Sequence, residues 1–258
     1  FINKLWNAAR FILLQCEQVK LDPAVVSNDV APKSLADKAL QCELQAVVRD
    51  ITGSLKDYRL SEVGERMYSF VWDYFCDWYI ELSKGEPNPG FAVHCFRTIL
   101  TLLHPYCPFV TEELWSSFKA KGDGSLISES WPNEEKTSVE LSDAHDDLQV
   151  LIDIIKAIRK LRVDQGIEPG KPVEITLCSS AHHKLFSDMG EHIKRMARIS
   201  TLAVENTAKK PDECVSAFLT DIEIHLSLSG LLDPEKEKQV LMTELENLRS
   251  TLQILRVV

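Results

Sequence analysis

The sequence predicts a mainly α-helical protein: an antiparallel helix bundle, then a small α/β subdomain, then the start of a coiled coil. Apolar residues recur at steps of three and four through residues 1–118, which is the period of amphipathic helices. Further along, two segments alternate apolar and polar residues, and leucines near the end keep a coiled-coil spacing. The expected parts are a bundle at 1–121, a linker at 122–139, the α/β subdomain at 140–229 and a coiled-coil segment at 230–258.

The bundle is predicted from its helices and their short connections. Ser34 and Asp37, three residues apart, resemble a capping box, and Thr111 is placed to cap the last helix. Helices joined by short connections pack antiparallel, which favours a bundle. The expected helices are Phe1–Gln18, Ser34–Leu55, Ser61–Trp78, Phe91–Leu103 and Leu114–Phe118. The third of them carries a stripe of aromatic residues, which we assign to the core.

A stretch rich in Gly, Ser, Glu and Pro at 121–139 predicts the boundary between the two folded parts. The pattern that follows is typical of a small α/β unit. Its expected elements are a helix at Leu148–Leu161, strands at Val173–Leu177 and Ile222–Leu228, and between them a helix at His182–Ile199 and a short strand at Thr201–Glu205.

The leucine seam at 241–255 covers barely two heptads, so we expect it to be the start of a longer coiled-coil hairpin. A terminal helix docked on the α/β subdomain is the alternative. The chain starts within a helical pattern, and we expect it to be a piece of a longer protein.

Composition limits the possible partners. The net charge of −10 argues against nonspecific nucleic-acid binding, because phosphate contacts come from Lys and Arg. Basic residues outnumber acidic ones within 1–20 and 148–172, so a nucleic acid would have to meet these local patches. The longest apolar run, near Ile99–Leu103, is far shorter than a membrane span.

Neither a metal site nor a catalytic site is predicted. The seven cysteines include no C-x-x-C pair, so we expect free thiols in a reducing compartment and no bound metal. Gly170-Lys171 is followed by Pro172 instead of the Ser or Thr that a P-loop needs. His94 and Cys95 are adjacent on a helix and diverge by roughly 100°, which excludes a nucleophile–base pair. From these observations alone, the chain is a two-domain binding or assembly module.

Five segments resemble valyl-tRNA synthetases, a family of class I aminoacyl-tRNA synthetases. They are F-I-N-K-L-W-N-A-A-R-F at Phe1–Phe11, D-W-Y-I-E at Asp77–Glu81, H-P-Y-C-P-F-V-T-E-E-L-W at His104–Trp115, A-I-R-K-L-R at Ala157–Arg162 and G-L-L-D-P-E-K-E at Gly230–Glu237. The nucleotide-handling motifs of the class, H-I-G-H and K-M-S-K-S, do not occur in this chain.

The resemblance implies the anticodon-binding region of a valine–tRNA ligase, with no catalytic residue and no cofactor in this chain. ATP and magnesium would act in a catalytic domain outside it, and the partner would be valine tRNA, with no DNA or membrane. We expect a monomer in the cytoplasm, and an organellar location stays open. The alternatives are the same module of an isoleucyl- or leucyl-tRNA synthetase, or a non-catalytic assembly protein that recruits a helix through its leucine seam.

The resemblance directs attention to the first helix. Asn3, Asn7 and Arg10 share one face, and amides can read base edges while a guanidinium binds phosphate. We expect Lys4 and Phe11 on the adjacent stripe as RNA contacts, and Trp6 with Leu5 inside the bundle.

An ordinary solvated face, with Asn7 buried in a side-chain network and Phe11 in the core, is the alternative for this helix. In the second part, Lys156, Arg159 and Arg162 are candidates for contacts with the RNA backbone, or merely a solvated helix face.

Overall fold

The computed structural model describes residues 1–27, 30–168, 170–206 and 214–228. The chain divides into two compact units, Phe1–Ile152 and Asp153–Val258. The predicted coiled-coil segment, 230–258, lies outside the described residues.

The first unit is a helix bundle. A π-helical stretch (Phe70–Tyr79) continues α3 into α4, and the pairs α2–α3 and α5–α6 pack against each other across short turns. The helices are α1 (Ile2–Gln18), α2 (Leu35–Lys56), α3 (Leu60–Ser69), α4 (Ile80–Leu82), α5 (Pro89–Leu103), α6 (Pro108–Phe118) and α7 (Val139–Asp164), the last of which contains residues of both units.

Aromatic rings form the centre of this bundle. Phe75 stacks on Tyr79 and on Phe96, with ring centroids 5.5 and 5.9 Å apart, and Phe96 meets Phe118 at 4.8 Å. All four rings are buried. Because such rings remove a large apolar area from water and their contacts connect the π-helical stretch, α5 and α6, they stabilise the bundle as a unit.

Local sequence signals set the helix starts, with one correction. The capping box at Ser34 is confirmed, since its side chain accepts from the Asp37 amide. Thr111 is not a cap, because α6 already begins at Pro108, whose fixed φ suits the first turn of a helix. The buried Thr111 hydroxyl instead donates to the Cys107 carbonyl at 2.9 Å.

The segment 122–139 belongs to the first unit. The Trp131 indole donates to the Thr52 hydroxyl at 2.9 Å, and the Leu126 amide donates to the Glu112 carboxylate at 3.0 and 3.2 Å. The division between the units therefore falls inside α7, at Ile152/Asp153, and not at the expected linker. Gly, Ser and Pro signal where helices stop, but they carry no information on what the segment packs against.

The second unit contains a four-stranded sheet of order β2-β1-β4-β3, in which β1 is parallel to β2 and antiparallel to β4. The expected helix at His182–Ile199 is two helices, separated at Met189, and β2 begins at Ile199. The elements are β1 (Val173–Cys178), α8 (His183–Asp188), α9 (Gly190–Ala197), β2 (Ile199–Glu205), β3 (Cys214–Leu219) and β4 (Ile222–Ser227).

Within the described part of the chain, every helix is too short or too polar to cross a bilayer.

Candidate nucleic-acid interface

Helix α1 turns its amide and guanidinium groups to solvent. Its buried face packs against α5 and the π-helical stretch, and Asn3, Asn7 and Arg10 lie on the opposite, exposed side. These three positions are spaced by four and three residues, so they form one stripe. The alternative in which Asn7 is buried in a side-chain network is wrong. The residues of the buried face are Leu5, Ala8, Ala9, Ile12, Gln15 and Cys16.

Trp6 lies on the exposed side as well, and our assignment of its ring to the core is wrong. The residue is 45% exposed, and Ile2 and Leu14 are similarly exposed. Trp6 follows Asn3 by three residues and precedes Arg10 by four, a spacing that places it in the same stripe. Its apolar character suggested burial, whereas its spacing could have revealed exposure. The face therefore combines an indole with amides and a guanidinium, which we call the α1 face (Asn3, Trp6, Asn7 and Arg10).

Lys4 is engaged inside the protein. Its ammonium lies 2.7 Å from the Asp77 carboxylate, donates to the Trp72 carbonyl at 3.0 Å and sits 4.0 Å from the centre of the Trp72 ring. Only 24% of its side chain is exposed. Three interactions with the π-helical stretch make Lys4 a tie that fixes the rotation of α1.

A stack of rings borders the start of α1. Phe1 stacks on Tyr68 with centroids 5.4 Å apart, and Tyr68 stacks on Trp72 at 5.6 Å. Phe11, one turn past Asn7, is half-buried, with the Lys84 ammonium 5.8 Å from its ring centre. Chemically, rings stack on unpaired bases, amides hydrogen-bond to base edges and guanidinium groups pair with phosphate, so the α1 face has the groups that single-stranded RNA requires.

The three basic candidates of α7 separate in the structure. Lys156 and Arg159 are exposed, whereas Arg162 is only 5% exposed, so its expected place on a solvated face is wrong. Arg162 donates to the carbonyl of Arg198 at 3.0 Å and to that of Lys171 at 2.6 Å. Backbone carbonyls at the end of α9 and in the loop before β1 require donors, and Arg162 supplies them from inside.

Two buried cysteines of the bundle lack the lowered pKa that makes a thiol nucleophilic. Burial raises the pKa of Cys16 and of Cys76 to about 11, so both are protonated thiols near neutral pH. Across the residues that the structure describes, no three His, Cys, Asp or Glu side chains are grouped as a metal site would require.

The fold of the first unit defines a class of protein, the helix-bundle domains. A family model described as the anticodon-binding domain of tRNA ligase matches residues 37–177, more than half of the chain. The chain belongs to this family. Helix α1 precedes the matched segment.

Full-length relatives carry the name valine–tRNA ligase. The chain is 33% identical to that of Staphylococcus saprophyticus over an alignment of 260 positions, gaps included, and this alignment covers 95% of this chain and 29% of the relative. It is 33% identical to that of Halalkalibacterium halodurans, with 92% of the chain and 28% of the relative covered, and 31% identical to that of Clostridium acetobutylicum, with 98% and 30% covered. The chain thus spans less than a third of the length of these relatives.

Proposed function

We propose that this chain is the tRNA-binding module of a valine–tRNA ligase and that the α1 face holds the anticodon loop of valine tRNA. The α1 face carries the proposal, because it presents base-reading, stacking and phosphate-binding groups side by side on a helix locked in place by Lys4. The names of the relatives support valine tRNA as the partner. Joining valine to that tRNA with ATP and magnesium would be the work of a catalytic domain outside this chain.

Each group has a distinct role in this proposal. Asn3 and Asn7 hydrogen-bond to the edges of unstacked bases, Trp6 provides the stacking surface, and Arg10 pairs with a backbone phosphate. Phe11 adds a partly covered ring at the end of the stripe. Lys4 acts indirectly, by keeping α1 rotated so that these groups face outward.

Replacing Arg10 with alanine is expected to weaken the binding of valine tRNA about tenfold, the loss of one charge-assisted contact. The plot of log affinity against log salt concentration should also become shallower by about 1. The measurement is the dissociation constant of an unmodified valine tRNA transcript over a salt series. Arg49→Ala, an equal charge change at an exposed position of α2, is the control and should shift affinity less than about twofold. Equal affinities of both variants would remove Arg10 from the interface.

Replacing Trp6 with alanine tests the stacking role. Stacking contributes about 1–3 kcal/mol per base, so we expect affinity to fall about tenfold or more and to be largely restored in Trp6→Phe, which keeps an aromatic ring. Because the indole is half exposed, the thermal midpoint should change little in both variants. A Trp6→Phe variant as weak as Trp6→Ala would contradict stacking.

The identity of the tRNA is a separate question. Transcripts of valine, isoleucine and leucine tRNA differ in their anticodons, and we expect the chain to bind the valine transcript tightest. A preference for isoleucine or leucine tRNA would reassign the module to another branch of the class. Binding of a partner protein without any RNA affinity would indicate an assembly role instead.

A further inference from the structure

A cavity of about 310 Å³ in the second unit lies between the last turns of α7 and the end of α9. Three of its lining residues are arginines, Arg159, Arg162 and Arg198. The other residues that the structure places in its wall are aliphatic or Met, and no carboxylate is among them. The cavity therefore combines a high positive charge with an apolar wall.

Arg162 forms the floor of the cavity and is held rigidly. Besides its bonds to the carbonyls of Arg198 and Lys171, it donates to the Glu168 carbonyl at 3.1 Å. Burial lowers the pKa of Arg162, and the nearby charge of Arg198 lowers it further. An anion in the cavity would be attracted by both guanidinium groups and would offset their mutual repulsion.

Arg159 forms one side of the rim. Its Nε and Nη2 donate to the Met196 carbonyl at 3.3 and 2.9 Å, which orients the guanidinium plane at the end of α9. Lys156, exposed and one turn earlier on α7, extends the positive edge.

Arg198 also lines the cavity, and its backbone has a left-handed conformation. It follows α9 in the left-handed conformation, with φ 56° and ψ 54°, where glycine is the usual residue. The side chain of Arg198 is exposed in this conformation. Its own carbonyl accepts from Arg162 at 3.0 Å, and the Met196 carbonyl, two residues earlier, accepts from Arg159 at 2.9 Å.

We propose that this cavity binds a phosphate of the RNA backbone, with Arg159 and Arg198 as its ligands and Arg162 as a fixed charge beneath them. The forked guanidinium groups match the oxygens of a phosphate. An RNA is favoured over an acidic protein because the chain belongs to a family of anticodon-binding domains. The inference rests on the proposed function and adds a second contact region, independent of α1.

The test uses the whole chain with Arg198→Gly, which removes the guanidinium and suits the left-handed backbone. We expect an unchanged or higher thermal midpoint, together with about threefold to tenfold weaker binding of valine tRNA and a salt dependence shallower by about 1. Arg198→Lys, which keeps the charge but lacks the fork, should bind with intermediate affinity. Lys184→Ala, an equal charge change on α8 outside the cavity, is the control and should bind like the unmodified chain.

The outcomes separate the two proposals. If the unmodified chain binds tRNA and Arg10→Ala weakens it, but Arg198→Gly binds like Lys184→Ala, the cavity is not an RNA site and the α1 face stands. If the unmodified chain binds no tRNA, both proposals fall. Replacing chloride by inorganic phosphate at constant ionic strength gives a third arm. If the cavity also binds free phosphate, phosphate should weaken tRNA binding more in the unmodified chain than in Arg198→Gly. An equal effect in the two would mean that free phosphate does not compete with tRNA at this site.

Discussion

Replacing Asp37 with alanine is expected to lower the free energy of unfolding by about 3–5 kcal/mol, the cost of removing a buried charge on which several donors depend. Asp37 is fully buried, and its carboxylate accepts from the Asn88 amide at 2.7 Å and from the Tyr79 hydroxyl at 3.2 Å. The backbone amide of Lys33 donates to it at 3.0 Å. Alanine would leave these donors inside the bundle without an acceptor.

The Tyr79 hydroxyl stays protonated and donates its hydrogen bond to Asp37. Burial raises the pKa of Tyr79 well above its ordinary value, and the neighbouring Asp37 charge raises it further, so the hydroxyl keeps its proton over the working pH range. The cluster joins the start of α2, the π-helical stretch and Asn88, the residue that precedes α5. Losing its centre should therefore loosen several elements at once.

Urea unfolding of the full chain, followed by tryptophan fluorescence, measures the effect. Asp37→Asn keeps the shape but replaces one acceptor oxygen by a donor, so its stability should be intermediate. Asp50→Ala, which removes an exposed acid of the same helix, is the control and should cost less than about 1 kcal/mol. A loss below about 1 kcal/mol in Asp37→Ala would show that its donors find other partners.

Only part of the Asp37 cluster could be predicted from the sequence alone. Its local half, the capping box with Ser34, follows from a spacing of three residues and is predicted correctly. Its long-range contacts could not be predicted from the sequence, because Tyr79 and Asn88 lie 42 and 51 residues away and nothing in the pattern pairs them with Asp37. Helices follow from periodicity, whereas the polar clusters that join them depend on tertiary placement.

The candidate interface, too, could be predicted from the sequence only in part. The exposure of Asn7 and Arg10 follows from the helical period, and so would that of Trp6 if residue type had not suggested burial. Arg162 could not be placed from sequence, because a run of basic residues normally lies in solvent. Its burial depends on carbonyls at the end of α9 and in the loop before β1, which only the folded unit brings to it.

Strand β3 shows a third limit. Residues Cys214–Leu219 are apolar or small with no clear alternation, and in the sheet they are half-buried or exposed, at the edge beside β4. An edge strand packs less than a central one, so its sequence is less constrained by burial. The period that identified β1 and β4 is therefore missing from β3.

Replacing Arg97 with alanine is the second change with a large expected effect, again about 3–5 kcal/mol of unfolding free energy. This arginine of α5 is 6% exposed and donates to the Phe118 carbonyl at 2.6 Å, to the Val26 carbonyl at 2.8 Å and to the Pro23 carbonyl at 2.9 Å. Burial lowers its pKa, which the charge of Asp123 partly counteracts. The side chain thus connects the end of α6 to the turn that follows α1.

Two further substitutions of Arg97 isolate the cause. Arg97→Met keeps much of the aliphatic stem, so a large loss in this variant would come from the unpaired carbonyls and not from a cavity. Arg97→Lys supplies a point charge that cannot reach all three carbonyls, and its stability should lie between those of the methionine variant and the unmodified chain. A methionine variant as stable as the unmodified chain would contradict a role for these hydrogen bonds.

Comparing Arg97 with Arg10 distinguishes residues that stabilise the bundle from residues that are proposed to contact tRNA. Because Arg97 holds the turn at Pro23–Val26, which lies a few residues past the end of α1, its loss should reduce both stability and affinity for valine tRNA. Arg10 is exposed on α1, so its loss should reduce affinity alone. If Arg97→Met lost stability yet bound tRNA like the unmodified chain at a temperature where it remains folded, the orientation of α1 would not depend on this turn. Lys4, through Asp77 and Trp72, would then be the main tie that positions the RNA-facing groups.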